Sequence, residues 1–332
     1  MLLFAQLQPV PRDIPLPLPM PEWILVILLI ISFLAHLLFV NLMVGGTFTV
    51  MVSQILGLKD KRYDKLAKEI ASTVTVNKSL AVVIGVAPLL IINTLYTVYF
   101  YSANALTGTA FISIIPLVTV AFLLLYYHKY RWEKFENKRK LHISILGAAF
   151  IIFLFIPLVF AANINLMQFP ERWGDVSGFI SSIFVHNAIP RYLHFVTGMI
   201  AVTGLFIVWY FGRKNYPFEE RLPGFTRDDI KRKGFQLTFF ITLSQLVWGP
   251  LLFFTFPWRG ITWSLAYIII AGVIFAIAAM ILIWRETKRE HPGKYLAVII
   301  LLITLTVGLM GWGRHTYREN VISPHKEMMQ KK

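Results

Sequence analysis

Apolar runs of roughly 20 residues alternate with short polar blocks along the chain, and about 20 residues is what an α-helix needs to cross the hydrocarbon core of a bilayer. Taking apolar runs bounded by charge predicts eight helices, near residues 22–57, 80–101, 107–127, 142–166, 192–212, 235–256, 262–284 and 295–313. The first run exceeds a simple span, which predicts a tilted helix or one projecting beyond the membrane. The expected fold is therefore all-α, a polytopic transmembrane helical bundle of about eight helices over residues 22–313. A Pro-rich segment, 1–21, precedes it and a polar tail, 314–332, follows. The opening MLLFAQLQPVPRDIPLPLPMP has neither a basic start nor a small-residue cleavage site. It reads as a short extended lid on the outer surface rather than as a removable signal peptide.

Composition agrees with the pattern, at 57% hydrophobic residues and a mean hydropathy of +0.65. The net charge of +15 would suit a nucleic-acid partner, but the basic residues sit in alternate loops. Residues 59–78 carry six, 129–140 six, 213–233 seven and 285–294 four, whereas 102–107, 167–191 and 257–261 carry zero, two and one. That is the signature of positive-inside anchoring, not of nucleic-acid binding. An even number of helices with both termini outside, in a prokaryotic cytoplasmic membrane, satisfies every loop; only the tail, with Arg314, Arg318 and three lysines, fits poorly. Trp23, Trp173, Trp258, Trp263 and Trp312 then fall at the outer interface and Trp132, Trp209 and Trp284 at the inner one. No internal repeat marks an inverted-repeat transporter.

The chain has no cysteine, which removes disulfides, thiolate metal sites, iron–sulfur clusters and covalently attached c-type haem. A redox cofactor here must be held by His, Met or packing. The eight spans contain no Asp, Glu, Lys or Arg between Trp23 and Trp312. Proton-driven transport and proton-consuming chemistry such as oxygen reduction both need titratable relays in the membrane, so both lose weight.

Histidine supplies the candidate chemistry. His36 lies within the apolar run LLIISFLAHLLFVNLMVGG, where an unpartnered polar group costs on the order of 2–4 kcal/mol, so it either bonds across to another helix or ligates metal. FVHNAIPRYLHFVTGMIAVTG places His186 in the outer loop and His194 just inside the following helix, with Pro190 between them. Arg191 is placed to neutralise a haem propionate, and Thr197, Gly198, Ala201 and Gly204 either admit a flat macrocycle or serve close helix packing. In MGWGRHTYREN, Arg314, His315, Tyr317 and Arg318 suit propionates, a quinol head group, a docking partner or a solvated helix end. His128, His142, His291 and His325 read as interfacial or solvent-exposed, and Met167, Met199, Met280 and Met310 as core filler.

The segment AHLLFVNLMVGG resembles the first helix of cytochrome bd oxidase subunit I, whose pattern runs His-x-x-Phe-Val-x-x-x-x-Gly around a haem-ligating histidine. LVFAANINLMQFPERW resembles that family's Asn-Gly-Trp-Met-Gln-Asn-Pro helix ending, and RYLHFVTGMIAVTGLFIVWYFGRKN its Phe-Val-His-Thr-x-x-x-Gly-Tyr-x-x-Gly helix. GWGRHTYREN is similar in placement to its Gly-Arg-Gln stretch. Together these cover most of the chain in matching order. The resemblance implies that His36 and His194 are haem-iron ligands and that Arg314 matches the arginine of the Gly-Arg-Gln stretch. Departures restrict what carries over. FISIIPLVTVAFLLLYY lacks the family's oxygen-site glutamates, and ITLTVGLMGWGR lacks the glutamate before the Gly-Arg-Gln stretch. The quinol loop shrinks to FPWRGITW, a ninth helix is absent, and ITWSLAYIIIAG offers no counterpart to the family's Met ligand. The low-spin haem would then need another sixth ligand, for which His315 and His186 are the outer-side candidates.

The expectation is a membrane b-type cytochrome subunit of a respiratory complex. It would hold one or more haem b, sit among other membrane subunits of related fold, and pass electrons between the quinone pool and an outer c-type cytochrome, without reducing oxygen. The alternatives are a haem-free, quinol-interacting eight-helix anchor and a transporter.

Overall fold

The computed structural model describes residues 17–330, so most of the predicted N-terminal lid lies outside the described residues. Among those residues the chain is helical throughout, with no strand. Ten main helices are α1 (Glu22–Gly57), α2 (Lys61–Leu95), α3 (Thr97–Thr107), α4 (Ile114–Tyr130), α5 (Arg139–Gln168), α6 (Ala188–Gly212), α7 (Arg227–Leu243), α8 (Gln245–Phe254), α9 (Trp263–Lys288) and α10 (Leu296–Gln330). Seven segments are long and apolar enough to cross a membrane, or eight when the bent pair α2–α3 is counted as one. This is a multi-pass membrane bundle.

Most predicted helices lie where the hydrophobic pattern puts them, and the differences have local causes. The second span does not run to residue 101. It ends at Leu95, breaks at Tyr96, and turns through 112° into α3, so the expected loop 102–107 is helical. Gly108, at φ +60°, then reverses the chain toward α4. The fifth span starts earlier than expected, at Ala188, because Pro190 occupies the first helical turn, where its missing N–H would have had no partner anyway. α10 does not stop at 313 but continues through the polar tail to Gln330.

α1 runs along α2 and is backed by α6, while α7 packs on α6 and α10 on α9. Close approach of α6 to its neighbours depends on glycine. A Cβ on Gly45 would stand 2.6 Å from the Met199 carbonyl oxygen, and one on Gly234 would stand 2.7 Å from Val208 Cγ2. Small residues of this kind bring helix backbones together in lipid, where no hydrophobic force drives helices into contact.

The four basic loops gather at one end of the bundle. Arg62 Nη1 donates to the Gly224 carbonyl at 3.0 Å, Arg139 Nη1 to that of Gly57 at 3.0 Å, and Arg232 Nη2 to that of Arg289 at 3.0 Å. At the far end, α3, the Pro170–Asp175 turn, the Trp258–Gly260 turn and the last turns of α10 lie together: Asn320 Nδ2 donates to the Gly260 carbonyl at 3.0 Å, and Arg259 pairs with Glu171. Trp173 was expected in an interfacial belt. It is buried here, its Nε1 donating to the Leu166 carbonyl at 3.0 Å, because the turn after α5 folds it back onto the helix end.

Candidate cofactor site

His36 faces α2. Its Nδ1 lies 2.8 Å from the Ala81 carbonyl oxygen, an acceptor that requires the proton on Nδ1 and leaves the Nε2 lone pair free. The ring rests on Gly85, where a Cβ would come within 2.7 Å of Nδ1. Only glycine leaves room for the imidazole there. This geometry contains the interhelical bond of the structural alternative. It also has the form typical of a ligating histidine, whose outward nitrogen is fixed by a backbone carbonyl while the other is free for metal.

His194 projects from α6 toward α8, with its Nδ1 buried and without a hydrogen-bond partner. Gln245, at the start of α8, bonds through Nε2 to the backbone carbonyl of His194 at 3.1 Å and to Thr197 Oγ1 at 2.7 Å, and this fixes the α6–α8 crossing. Its Oε1 is left unpaired. The two glycines beside it are not crowded: a Cβ on Gly249 would meet His194 Cε1 at 3.9 Å, and one on Gly198 would meet Gln245 Nε2 at 3.9 Å. Of the small residues on α6, Gly204 serves close packing against α7, and Thr197 and Gly198 face Gln245 of α8.

Three arginines lie near this histidine. The guanidinium of Arg314 stands 5.8 Å over the Phe33 ring, which stacks with Phe195 beside His194 at 6.4 Å. Arg191 is buried; its Nη2 donates to Gln168 Oε1 and Asn187 Oδ1, both at 3.2 Å, while Nη1 has no partner. Arg318, also buried, stands 5.0 Å over Tyr96 with Nε and Nη1 unpaired, and the Tyr317 hydroxyl is unpaired as well. No salt bridge joins Arg191, Arg314 or Arg318 to an acid among the described residues. Buried guanidinium groups lacking an internal anion are unfavourable, so the cluster suits a carboxylate-bearing ligand. An imidazole nitrogen without a hydrogen bond and arginines without an acid partner together fit a haem with its propionates.

The two other candidates have partners of their own. His315 Nδ1 lies 3.3 Å from the Tyr96 hydroxyl, which also bonds to Glu319 at the α2–α3 elbow. His186 has a left-handed backbone, φ 44°, and packs edge-on against Phe169 at 4.3 Å. Burial, with Arg172 nearby, pushes its imidazole pKa below the ordinary value. Neither ring touches His194.

One reading is overturned. His128 and His142 are not exposed: both are buried, their rings stacked at 3.8 Å, and they share Gln54, with His128 Nε2 3.0 Å from Gln54 Oε1 and His142 Nδ1 3.1 Å from Gln54 Nε2. The charged loop between them folds outward and leaves the two imidazoles under Trp132 and Phe135.

No known family's sequence model matches the chain, and no curated protein matches it in sequence. Among solved structures, it is similar to "The structure of bd oxidase from Geobacillus thermodenitrificans", with a TM-score of 0.69 at 14% identity, covering 90% of this chain and 88% of that one. The fold is thus that of a bd-oxidase-like helical bundle.

Proposed function

We propose that this chain is a haem-binding b-type cytochrome subunit of a respiratory membrane complex. The observation that carries the reading is the buried Nδ1 of His194, which makes no hydrogen bond, together with Arg191 and Arg318, buried and without an acid partner among the described residues. His194 and His36 would hold the haem iron, with His315 and His186 as further candidates to bind it. Arg314 and Arg191 would hold propionates. Bound haem b supplies a one-electron carrier. The chain's own part is to orient the imidazoles, exclude water and neutralise the carboxylates. In this reading the basic end is the cytoplasmic side, by the charge of its loops, and the haem lies toward the outer side. Electrons then pass between the quinone pool and an outer partner such as a c-type cytochrome, with further membrane subunits alongside. The bd-like fold supports this reading, as does the order of the family-like segments.

The test is His194→Ala. The variant is expected to insert normally and to lose a low-spin b-type component from the reduced-minus-oxidised spectrum. An unchanged haem content and spectrum would remove His194 from the site.

A further inference from the structure

Toward the basic end of the bundle, Val120, Leu123 and Leu124 of α4 line an open groove of about 480 Å³ that runs past Tyr126, Tyr127 and Tyr130 to Arg131. Val120, Leu123, Tyr127 and Tyr130 recur at three- and four-residue intervals and are exposed, so they form one outward stripe of the helix. From Val120 to Tyr130 the helix rises about 15 Å, at about 1.5 Å per residue. That is half of the roughly 30 Å thickness of a bilayer's hydrocarbon core. The groove thus has the length of one leaflet's acyl chains and ends where head groups begin.

Its polar end is cationic and uncommitted. Tyr126 and Tyr130 stack with ring centroids 6.0 Å apart and planes 11° from parallel, and Lys129 Nζ stands 5.5 Å over the Tyr130 ring. No salt bridge joins Lys129 or Arg131 to an acid among the described residues. A basic side chain at a helix C-terminus is often taken up by the last carbonyls of its own helix. Here other donors occupy them. The Tyr127 carbonyl accepts from the Arg131 backbone N–H at 3.1 Å, the Arg131 carbonyl from the Phe135 N–H at 3.3 Å, and the His128 carbonyl from His142 Nε2 at 2.8 Å. The acids of the following loop turn elsewhere. Glu133 and Glu136 line a separate cavity with Gln54 and His142, and Glu133 lies 3.8 Å from Lys68. The loop's charges are therefore segregated, with Arg131 alone of them lining the apolar groove.

We propose that this groove is a binding site for an anionic phospholipid, with one acyl chain along Val120, Leu123 and Leu124 and the phosphate paired with Arg131. Lys129 adds a second positive charge at the head group, and the tyrosine rings lie at the boundary between chain and head, where aromatic residues are favoured. The planar fork of a guanidinium matches a phosphate through two parallel hydrogen bonds. Phosphatidylcholine brings its own cation to that phosphate and phosphatidylglycerol does not, so the site selects the second. None of these residues belongs to the cofactor site, and the inference does not depend on the haem reading. It also differs from a general attraction of basic loops for an anionic leaflet, which would be spread over all four of them.

The experiment is native mass spectrometry of the purified full-length protein, titrated with phosphatidylglycerol and, separately, with phosphatidylcholine, reading the Kd of the first lipid bound. The unaltered protein is expected to bind phosphatidylglycerol at least about fivefold more tightly, the effect of one basic residue near a head group. Arg131→Gln is expected to weaken phosphatidylglycerol by about fivefold and to leave phosphatidylcholine nearly unchanged. Leu123→Trp, which fills the groove, is expected to weaken both lipids. Lys214→Gln removes the same charge from an exposed position in a different basic loop and is expected to change neither. All three positions are exposed, so the fold is not at stake. Equal affinity for the two lipids in the unaltered protein would overturn the proposal, as would an unchanged Kd in Leu123→Trp. A loss in Lys214→Gln as large as that in Arg131→Gln would also overturn it, because the attraction would then belong to the whole basic end.

Discussion

The histidines show how a single side chain's chemistry depends on what lies opposite it. His36 has its partner in a backbone carbonyl and a glycine that makes room for the ring, so two roles make different predictions. If it ligates haem, both Leu and Gln should remove one haem and its spectral component, since an amide is a poor iron ligand. If it only bonds Ala81, His36→Gln should keep stability and cofactor while His36→Leu loses roughly 1–2 kcal/mol. Reduced-minus-oxidised spectra beside thermal melts decide, and full haem retention in both variants excludes ligation. His186 gives a pH prediction. Its pKa in the folded protein lies below the unfolded value of about 6.5. Its contribution to stability is therefore complete above about pH 6.5 and falls as pH drops through that value, because the unfolded chain binds the proton more readily. Asn tolerates a left-handed backbone, so His186→Asn should melt like the parent at neutral pH but lose less on acidification; equal acid sensitivity in both would show that other groups carry the effect. In the sequence, His36 and His194 stand out as candidates because each interrupts an apolar run. His128 and His142 do not, because flanking lysines and arginines signal solvent while the side chains themselves turn inward under Trp132 and Phe135.

At the scale of elements, hydrophobic periodicity marks where the chain crosses the membrane but not where a helix bends. The break at Tyr96 carries neither proline nor glycine, and Pro88 lies inside α2 without ending it. The elbow is held instead from a distance, by Tyr96 bonding Glu319 and His315 on α10, a contact between residues far apart in the sequence. The apolar run alone puts the start of α6 near residue 192, because it does not show that Pro190 sits in a helical first turn. The small residues of α6 divide between packing and space, and the division is testable. Gly204→Leu forces a side chain against Gly234 and Thr238 of α7 and is expected to destabilise the bundle by about 1–3 kcal/mol. Gly198→Ala adds a Cβ that meets Gln245 Nε2 only at 3.9 Å and should leave the melting temperature nearly unchanged. Thermal melts of the two variants check this, and equal losses would mean that Gly198 is packed as tightly as Gly204.

For the whole molecule, the partition of charge and the spacing of apolar runs were enough to fix an all-helical multi-pass bundle, and the structure shares that architecture with a bd oxidase at only 14% identity. Such conservation of shape without sequence is expected where lipid requires every backbone group to be satisfied inside helices. Shape does not transfer chemistry. The third and eighth predicted spans, ending at residues 127 and 313, carry no acidic residue, so the purified protein is expected not to reduce oxygen with quinol; sustained quinol-dependent oxygen uptake at an enzyme-like rate would contradict that. The central claim, that this bundle holds haem b without a covalent link, is tested most directly by a pyridine haemochrome determination per polypeptide on the purified chain. The account predicts at least one acid-extractable b-type haem per chain, reduced by loss of His194. A preparation that is folded and haem-free would contradict it, and would favour the quinol-interacting anchor.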